Sequence, residues 1–179
     1  MHASPFLSSR WANRLRSLIT SAQADLLICS PFVSVAGAEF LQSHATSTFR
    51  LDGRLQLITD LSPVNIYQAS TDPSAVLLAV DSFAPTSVHH LPKLHAKVYV
   101  ADVTAAIITS ANFTGGGLYR NHEYGIEITD RESVRRIRSD LVDYSRLGAV
   151  IPRESLVRIC EQISRFRNRI AEDGTRCSS

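Results

Sequence analysis

Four β-prone runs, "SVHHL", "KVYVAD", "AAIITS" and "EYGIEITD", are crowded into residues 87 to 130, and only a few residues separate the middle two. Parallel neighbours need a crossover of a dozen or more residues, whereas antiparallel neighbours need only a tight turn. The crowding therefore predicts hairpin-like, antiparallel pairing in this region. Upstream, strand and helix patterns alternate. "ADLLICSPF" reads as a buried strand stopped by Pro31, and "GRLQLITD" as another. Residues 8 to 22 place Trp11, Leu15, Leu18 and Ile19 at helical spacing with Ser8 or Ser9 as cap. "SVAGAEFLQSHA" predicts a second helix, and "DPSAVLLAVDSF" a third that opens on Asp72 and Pro73. Downstream, "RESVRRIRSDLVDYSRL" sets Val134, Ile137, Leu141, Val142 and Tyr144 on or near one face, with Gly148 as a stop. "PRESLVRICEQISRFRNRIA" predicts a last helix from Pro152. The sum is an α/β domain, a mixed sheet flanked by helices, over residues 1–173, with 174–179 expected as a flexible tail.

Composition narrows the function classes. A chain of 179 residues with 44% hydrophobic content can bury a single core, and a 20% charged fraction is ordinary for a globular protein. No run approaches the roughly 18 to 20 apolar residues of a membrane span, and the first residues lack the pattern of a secretory signal, so a cytoplasmic protein with no membrane contact is expected. Cys29, Cys160 and Cys177 are widely spaced and form no C-x-x-C pair, which predicts reduced thiols. Charge is uneven. Residues 1–130 hold 8 basic and 10 acidic side chains, and residues 131–179 hold 11 and 7. Of the 19 basic residues 17 are Arg, whose guanidinium forks suit bidentate phosphate contact, and only Lys93 and Lys97 are Lys.

Against that background "LHAKVYVAD" (94–102) stands out. Strand alternation puts Ala96, Val98 and Val100 on one face, and His95, Lys97, Tyr99 and Ala101 on the other. An imidazole and an ammonium thus sit side by side beside a plainly apolar face. Seven residues after Asp102 comes "TSANFTGGG", then "NHEYGIEI", so His95, Lys97, Asp102, Ser110, Asn112 and Glu123 fall in one compact segment. Asp102 lies on the strand face opposite His95, where it is expected to bond the following turn as structural support. Gly115 to Gly117 are expected to form a flexible turn beside the site. His89, His90, His95 and His122 match no common zinc spacing, so no metal is expected. His90 and His122 are further candidates to line the pocket.

The order and spacing resemble the phospholipase D superfamily, whose signature is H-x-K-x(4)-D-x(6)-G-S-x-N with a downstream Glu. "HAKVYVAD", the six residues "VTAAII" and then "TSAN" match every spacing, and "ICSPFVS" is similar to the first strand and loop of many members. Thr109 stands where the family usually has Gly, which adds a Cβ beside the phosphate loop. The resemblance implies a phospholipase D-like mixed sheet with helices on both faces, and a phosphodiesterase needing neither metal nor other cofactor. His95 would attack phosphorus and form a covalent phosphohistidine. Lys97 and Asn112, with Ser110, would bind the phosphate oxygens. Glu123 would accept from a His ring nitrogen and fix its tautomer.

The family's site takes two such motifs, and the chain has one. The resemblance therefore implies a homodimer with the active site formed between two copies. Small size, arginine-rich C-terminal helices and the missing export segment favour a DNA endonuclease, with DNA expected over RNA and with partner proteins supplying sequence specificity. Two other functions fit the same motif: a nucleic-acid-binding or assembly module of a defence or DNA-modification system with weak or no catalysis, and a lipid phosphodiesterase.

Overall fold

The computed structural model of the chain describes residues 4–8 and 11–176, with side chains through residue 169. Aliphatic runs build the centre of its sheet. β2 (Asp25–Cys29) and β3 (Arg54–Thr59) pair in parallel, with Leu26 opposite Leu55 and Ile28 opposite Leu57. β4 (Thr86–His90) extends the parallel set beyond β3. On the other side of β2, β5 (Val98–Ala101), β6 (Ala105–Thr109) and β7 (Gly125–Ile128) form an antiparallel meander. Two-residue edge strands, β1 (Phe6–Leu7) on β7 and β8 (Ala149–Val150) on β4, complete an eight-stranded sheet of order β1-β7-β6-β5-β2-β3-β4-β8.

Helices cover both faces. α1 (Trp11–Ser21), α2 (Val35–His44), α5 (Pro73–Ser82) and α7 (Arg153–Arg176) lie on one, where Leu15, Ile19, Leu41, Val76 and Leu156 join Leu26, Leu55 and Tyr99 in the larger core. α6 (Arg131–Arg146) covers the other, packing Val134 and Leu141 on Leu27, Ile58 and Val100. Helix starts follow the capping residues: the Asp72 carboxylate accepts from Ser74 N at 2.9 Å, and Asp130 from Ser133 N at 2.9 Å. Two short helices, α3 (Ser47–Asp52) and α4 (Pro63–Tyr67), and both edge strands escape sequence reading because they are too short to show a period.

Several expectations are corrected. β4 is not part of the antiparallel meander. A helix precedes it, so the crossover from β3 sets it parallel, and β2 and β3 separate it from β5. β5 has no polar face, being buried on both sides; regular pairing starts at Val98, and His95 and Lys97 belong to the segment entering it. Tyr144 is largely exposed, and Ser145 takes the buried place, accepting from Gln56 Nε2 at 3.4 Å. Gly148 permits a close approach, since a Cβ there would lie 2.1 Å from the His90 carbonyl oxygen. α7 continues through Arg176, so it includes residues 174–176 of the expected tail. Ser9 and Cys177 lie outside the described residues.

The strand directions give the sheet one functional end. The C-terminal ends of β2, β3, β4 and β6 and the N-terminal ends of β5 and β7 meet there, carrying the loops over 30–34, 60–62, 91–97 and 110–124.

Candidate active site

His95, Lys97, Ser110, Asn112 and Glu123 all fall at that end, and Asp102 does not. It follows the far end of β5, roughly 16 Å from Lys97 at about 3.3 Å per strand residue. Its carboxylate accepts three backbone N–H groups, from Gln23 at 3.0 Å, Ala24 at 2.9 Å and Asp25 at 2.8 Å. The turn is made by Asp102 itself, at φ 51°, a left-handed conformation that Asp tolerates better than most residues. Asp102 thus fixes the entry to β2, rather than bonding the turn that follows it.

Lys97 is buried, and its Nζ donates to the His95 carbonyl oxygen at 2.8 Å. Burial pushes the ammonium below the ordinary lysine range, against the opposing charges of Glu123 and Cys29. If Lys97 binds the substrate phosphate, it is the positive charge of the protonated form that stabilises it, so rising pH removes that charge, and the alkaline limb of kcat should begin below that of a solvated lysine. A pH profile of diester cleavage checks this, with Lys97→Arg expected to move the limb upward if any activity remains. Cys29 lies beneath, its Sγ 3.9 Å from the Ala96 carbonyl oxygen, and burial pushes its thiol up to about 12. It is a core residue and no nucleophile. His95 is exposed, no hydrogen bond to its ring is found among the described residues, and it borders a small pocket of about 200 Å³ with Lys93, Tyr144 and Leu147.

The β6–β7 connection supplies the rest. Ser110 Oγ donates to Glu123 Oε2, Asn121 Nδ2 donates to Oε1 at 3.1 Å, and Tyr124 N donates to Ser110 Oγ at 3.1 Å. Within one chain both Glu123 oxygens are therefore held by Ser110 and Asn121, not by the His95 ring. Asn112 Oδ1 is buried with no partner among the described residues. A buried polar atom left unpaired costs stability, and Arg50 Nε and His89 Nδ1 are in the same position. Thr109 is accommodated by its cross-strand neighbour Gly125, where a Cβ would lie 2.8 Å from the Thr109 Cβ. Its hydroxyl donates to the Tyr124 carbonyl oxygen at 3.1 Å and accepts from Ala111 N at 3.3 Å, tying β7 to the start of the loop.

Sequence reading missed the scaffold of this loop. Phe113 N donates to Ser30 Oγ at 2.9 Å, Gly115 N to Ser34 Oγ at 3.1 Å, and Trp11 Nε1 to the Gly117 carbonyl oxygen at 2.7 Å. The only advance signal was the polar "SPFVS" after an apolar strand. Gly115 to Gly117 are no flexible turn: Gly116–Arg120 wind as a single π-helical turn, and a Cβ on Gly117 would meet the Asn112 carbonyl oxygen at 2.2 Å. That missing Cβ is what lets the turn press against Asn112. Of the other histidines, His90 Nδ1 accepts from Leu61 N at 3.0 Å and His122 is exposed.

A mixed sheet presenting an imidazole, a buried ammonium, a hydroxyl and a carboxamide at one end, on this spacing, defines a phosphodiesterase of the phospholipase D-like hydrolase class. The family model described as "Cardiolipin synthase, PLD-like domain" matches residues 15–143, and the chain belongs to that family. Solved structures share its fold. Nuc from Salmonella typhimurium, a phospholipase D family member, is 17% identical with a TM-score of 0.66, over 82% of this chain and 95% of that one. NucT from Helicobacter pylori is 18% identical, TM-score 0.61, over 82% and 97%. The phosphatidylserine synthase of Haemophilus influenzae is 19% identical, TM-score 0.61, over 91% of this chain but 43% of that one. No curated protein matches the chain.

Proposed function

We propose that this chain is a metal-independent DNA endonuclease that works through a phosphohistidine in a site completed by a second copy of itself. The carrying observation is the half-site: one exposed imidazole and one buried ammonium at the same end of the sheet, in a chain with a single motif. His95 of one copy attacks phosphorus as neutral imidazole while Lys97 and Asn112 hold the non-bridging oxygens. His95 of the other copy protonates the leaving oxygen, then takes a proton from the water that breaks the phosphorus–nitrogen bond. An isologous dimer sets the two rings opposite each other by symmetry.

DNA is favoured over lipid by the distribution of charge. Arg131, Arg135, Arg158, Arg167 and Arg169 are exposed on α6 and α7, with no carboxylate in ion-pair reach among the described residues, whereas Arg138 is committed to Asp25 at 2.7 Å. Among the described residues no helix is long and apolar enough to cross a membrane. Incubation of supercoiled plasmid with the protein in EDTA tests the reading, alongside sedimentation at micromolar concentration. Nicking by a dimer is the expected result. A strictly monomeric enzyme that still cleaves would refute the shared site; binding without cleavage would instead indicate a nucleic-acid-binding module, and release of choline from phosphatidylcholine a lipid phosphodiesterase.

A further inference from the structure

Beside the half-site lies a groove that the chemistry above does not use. α4 and the middle of α7 enclose about 640 Å³ lined by Leu61, Ile66, Tyr67, Ile163, Phe166 and Arg167 among others, and among the described residues no carboxylate lines it. Tyr67 is 76% exposed and Phe166 44%, so two aromatic rings, with centroids 6.3 Å apart, turn much of their area to solvent rather than into the core. The groove stands at the catalytic end of the sheet. Leu61, in its wall, donates its N–H to His90, and the neighbouring Asp60 carboxylate accepts from Lys93 N at 2.9 Å. Lys93 lines the small pocket that also holds His95. Groove and reaction site are therefore joined through one buried carboxylate, Asp60, whose acidity is increased: burial pushes its pKa up, but hydrogen bonds from Ser62 and Lys93 and the nearby His90 outweigh it.

Charge completes the pattern. Arg158 and Arg169 recur on one face of α7, about 100° around the helix from Ile159, Ile163 and Phe166, and both are exposed; Arg165 on the same face lies 3.9 Å from Glu161. A cationic stripe thus runs alongside an aromatic and aliphatic trough. Unpaired nucleotides have that same division, with flat apolar bases beside a regular line of phosphates. Duplex DNA does not, because its bases are stacked inside.

We infer that the α4–α7 groove holds unpaired bases of the substrate strand, with Tyr67 and Phe166 as stacking surfaces and the α7 arginines on the phosphates, so that single-stranded nucleic acid is the preferred substrate. The inference rests on the nuclease reading and adds strand preference to it. Its test uses the full chain and three substrates: a fluorescent single-stranded oligonucleotide, the matching duplex, and bis(p-nitrophenyl) phosphate, which is too small to reach the groove from the reaction site. Tyr67→Ala and Phe166→Ala should each weaken single-strand binding by about 5-fold to 100-fold, the range for loss of one base–aromatic stack, while bis(p-nitrophenyl) phosphate hydrolysis stays unchanged. Tyr67→Phe should keep the affinity, since a ring face is retained. Unaltered oligonucleotide affinity in both alanine variants, with cleavage intact, overturns the groove and spares the nuclease. Absence of any nucleic-acid cleavage by the parent protein removes the nuclease reading itself. Loss of binding to anionic phospholipid vesicles, or a shift in oligomeric state, in place of the oligonucleotide effect would also overturn it, assigning the groove to lipid or to a second copy.

Discussion

Replacing His95 by Ala should lower kcat for diester cleavage by on the order of 10⁴-fold or more, with the fold unchanged. In a symmetric dimer the substitution removes both rings at once, so the nucleophile and the general acid vanish together. On the proposed reading what remains is phosphate binding by Lys97 and Asn112, which would stabilise the transition state without supplying a bond to phosphorus. Because the His95 ring is exposed and makes no hydrogen bond among the described residues, its loss should leave the melting temperature within about a degree, the usual behaviour of an uncoupled surface side chain. Two measurements check this: single-turnover cleavage of a labelled oligonucleotide, and quenching with denaturant at alkaline pH to trap a phosphorylated protein. The parent should carry an acid-labile, alkali-stable label and the variant none. Activity surviving the substitution would place the nucleophile elsewhere.

The largest effect on stability should come from Asp102, the one motif residue far from the chemistry. Asp102→Ala leaves the N–H groups of Gln23, Ala24 and Asp25 without their acceptor at the start of β2, a central strand. Water can reach part of this turn, so the expected cost is about 2 to 3 kcal/mol rather than the sum of three buried bonds. For a chain of this size that is a drop of about 5 to 10 °C in Tm. Asp102→Asn should fall between, because Oδ1 still accepts from Ala24 and Asp25 while the amide replaces the acceptor facing Gln23. Thermal unfolding measures the ranking, and kcat per folded molecule should change little. A variant that melts normally but has lost its chemistry would contradict the structural role. The neighbouring Asp25 reinforces this region, binding Arg54 Nη2 at 2.5 Å and Arg138 Nη2 at 2.7 Å and so tying α6 to the same end of the sheet.

The motif residues show how unevenly a sequence displays its site. His95 and Lys97 are legible because they are polar next to an aliphatic strand, and Ser110, Asn112 and Glu123 because their spacing from that strand is fixed. The residues that hold them, Ser30, Ser34, Trp11 and Gly117, contribute through contacts 81 to 106 residues apart in the chain. No local pattern reports such contacts. The groove between α4 and α7 was likewise hidden, because a five-residue helix has no period to detect and its lining comes from segments about 100 residues apart.

By itself the sequence determined the longer helices and strands, the antiparallel meander from β5 to β7, and the polar groups His95, Lys97, Ser110, Asn112 and Glu123 as a set, since each follows from side-chain periodicity, short loops or motif spacing. Only the tertiary structure decided that β4 pairs in parallel on the far side of β3, that Asp102 stands at the opposite end of the sheet from Lys97, and that Gly125 makes room for Thr109. Those outcomes depend on which strands become neighbours, and strand order is set by competition for the buried positions across the whole chain rather than by any one segment of it.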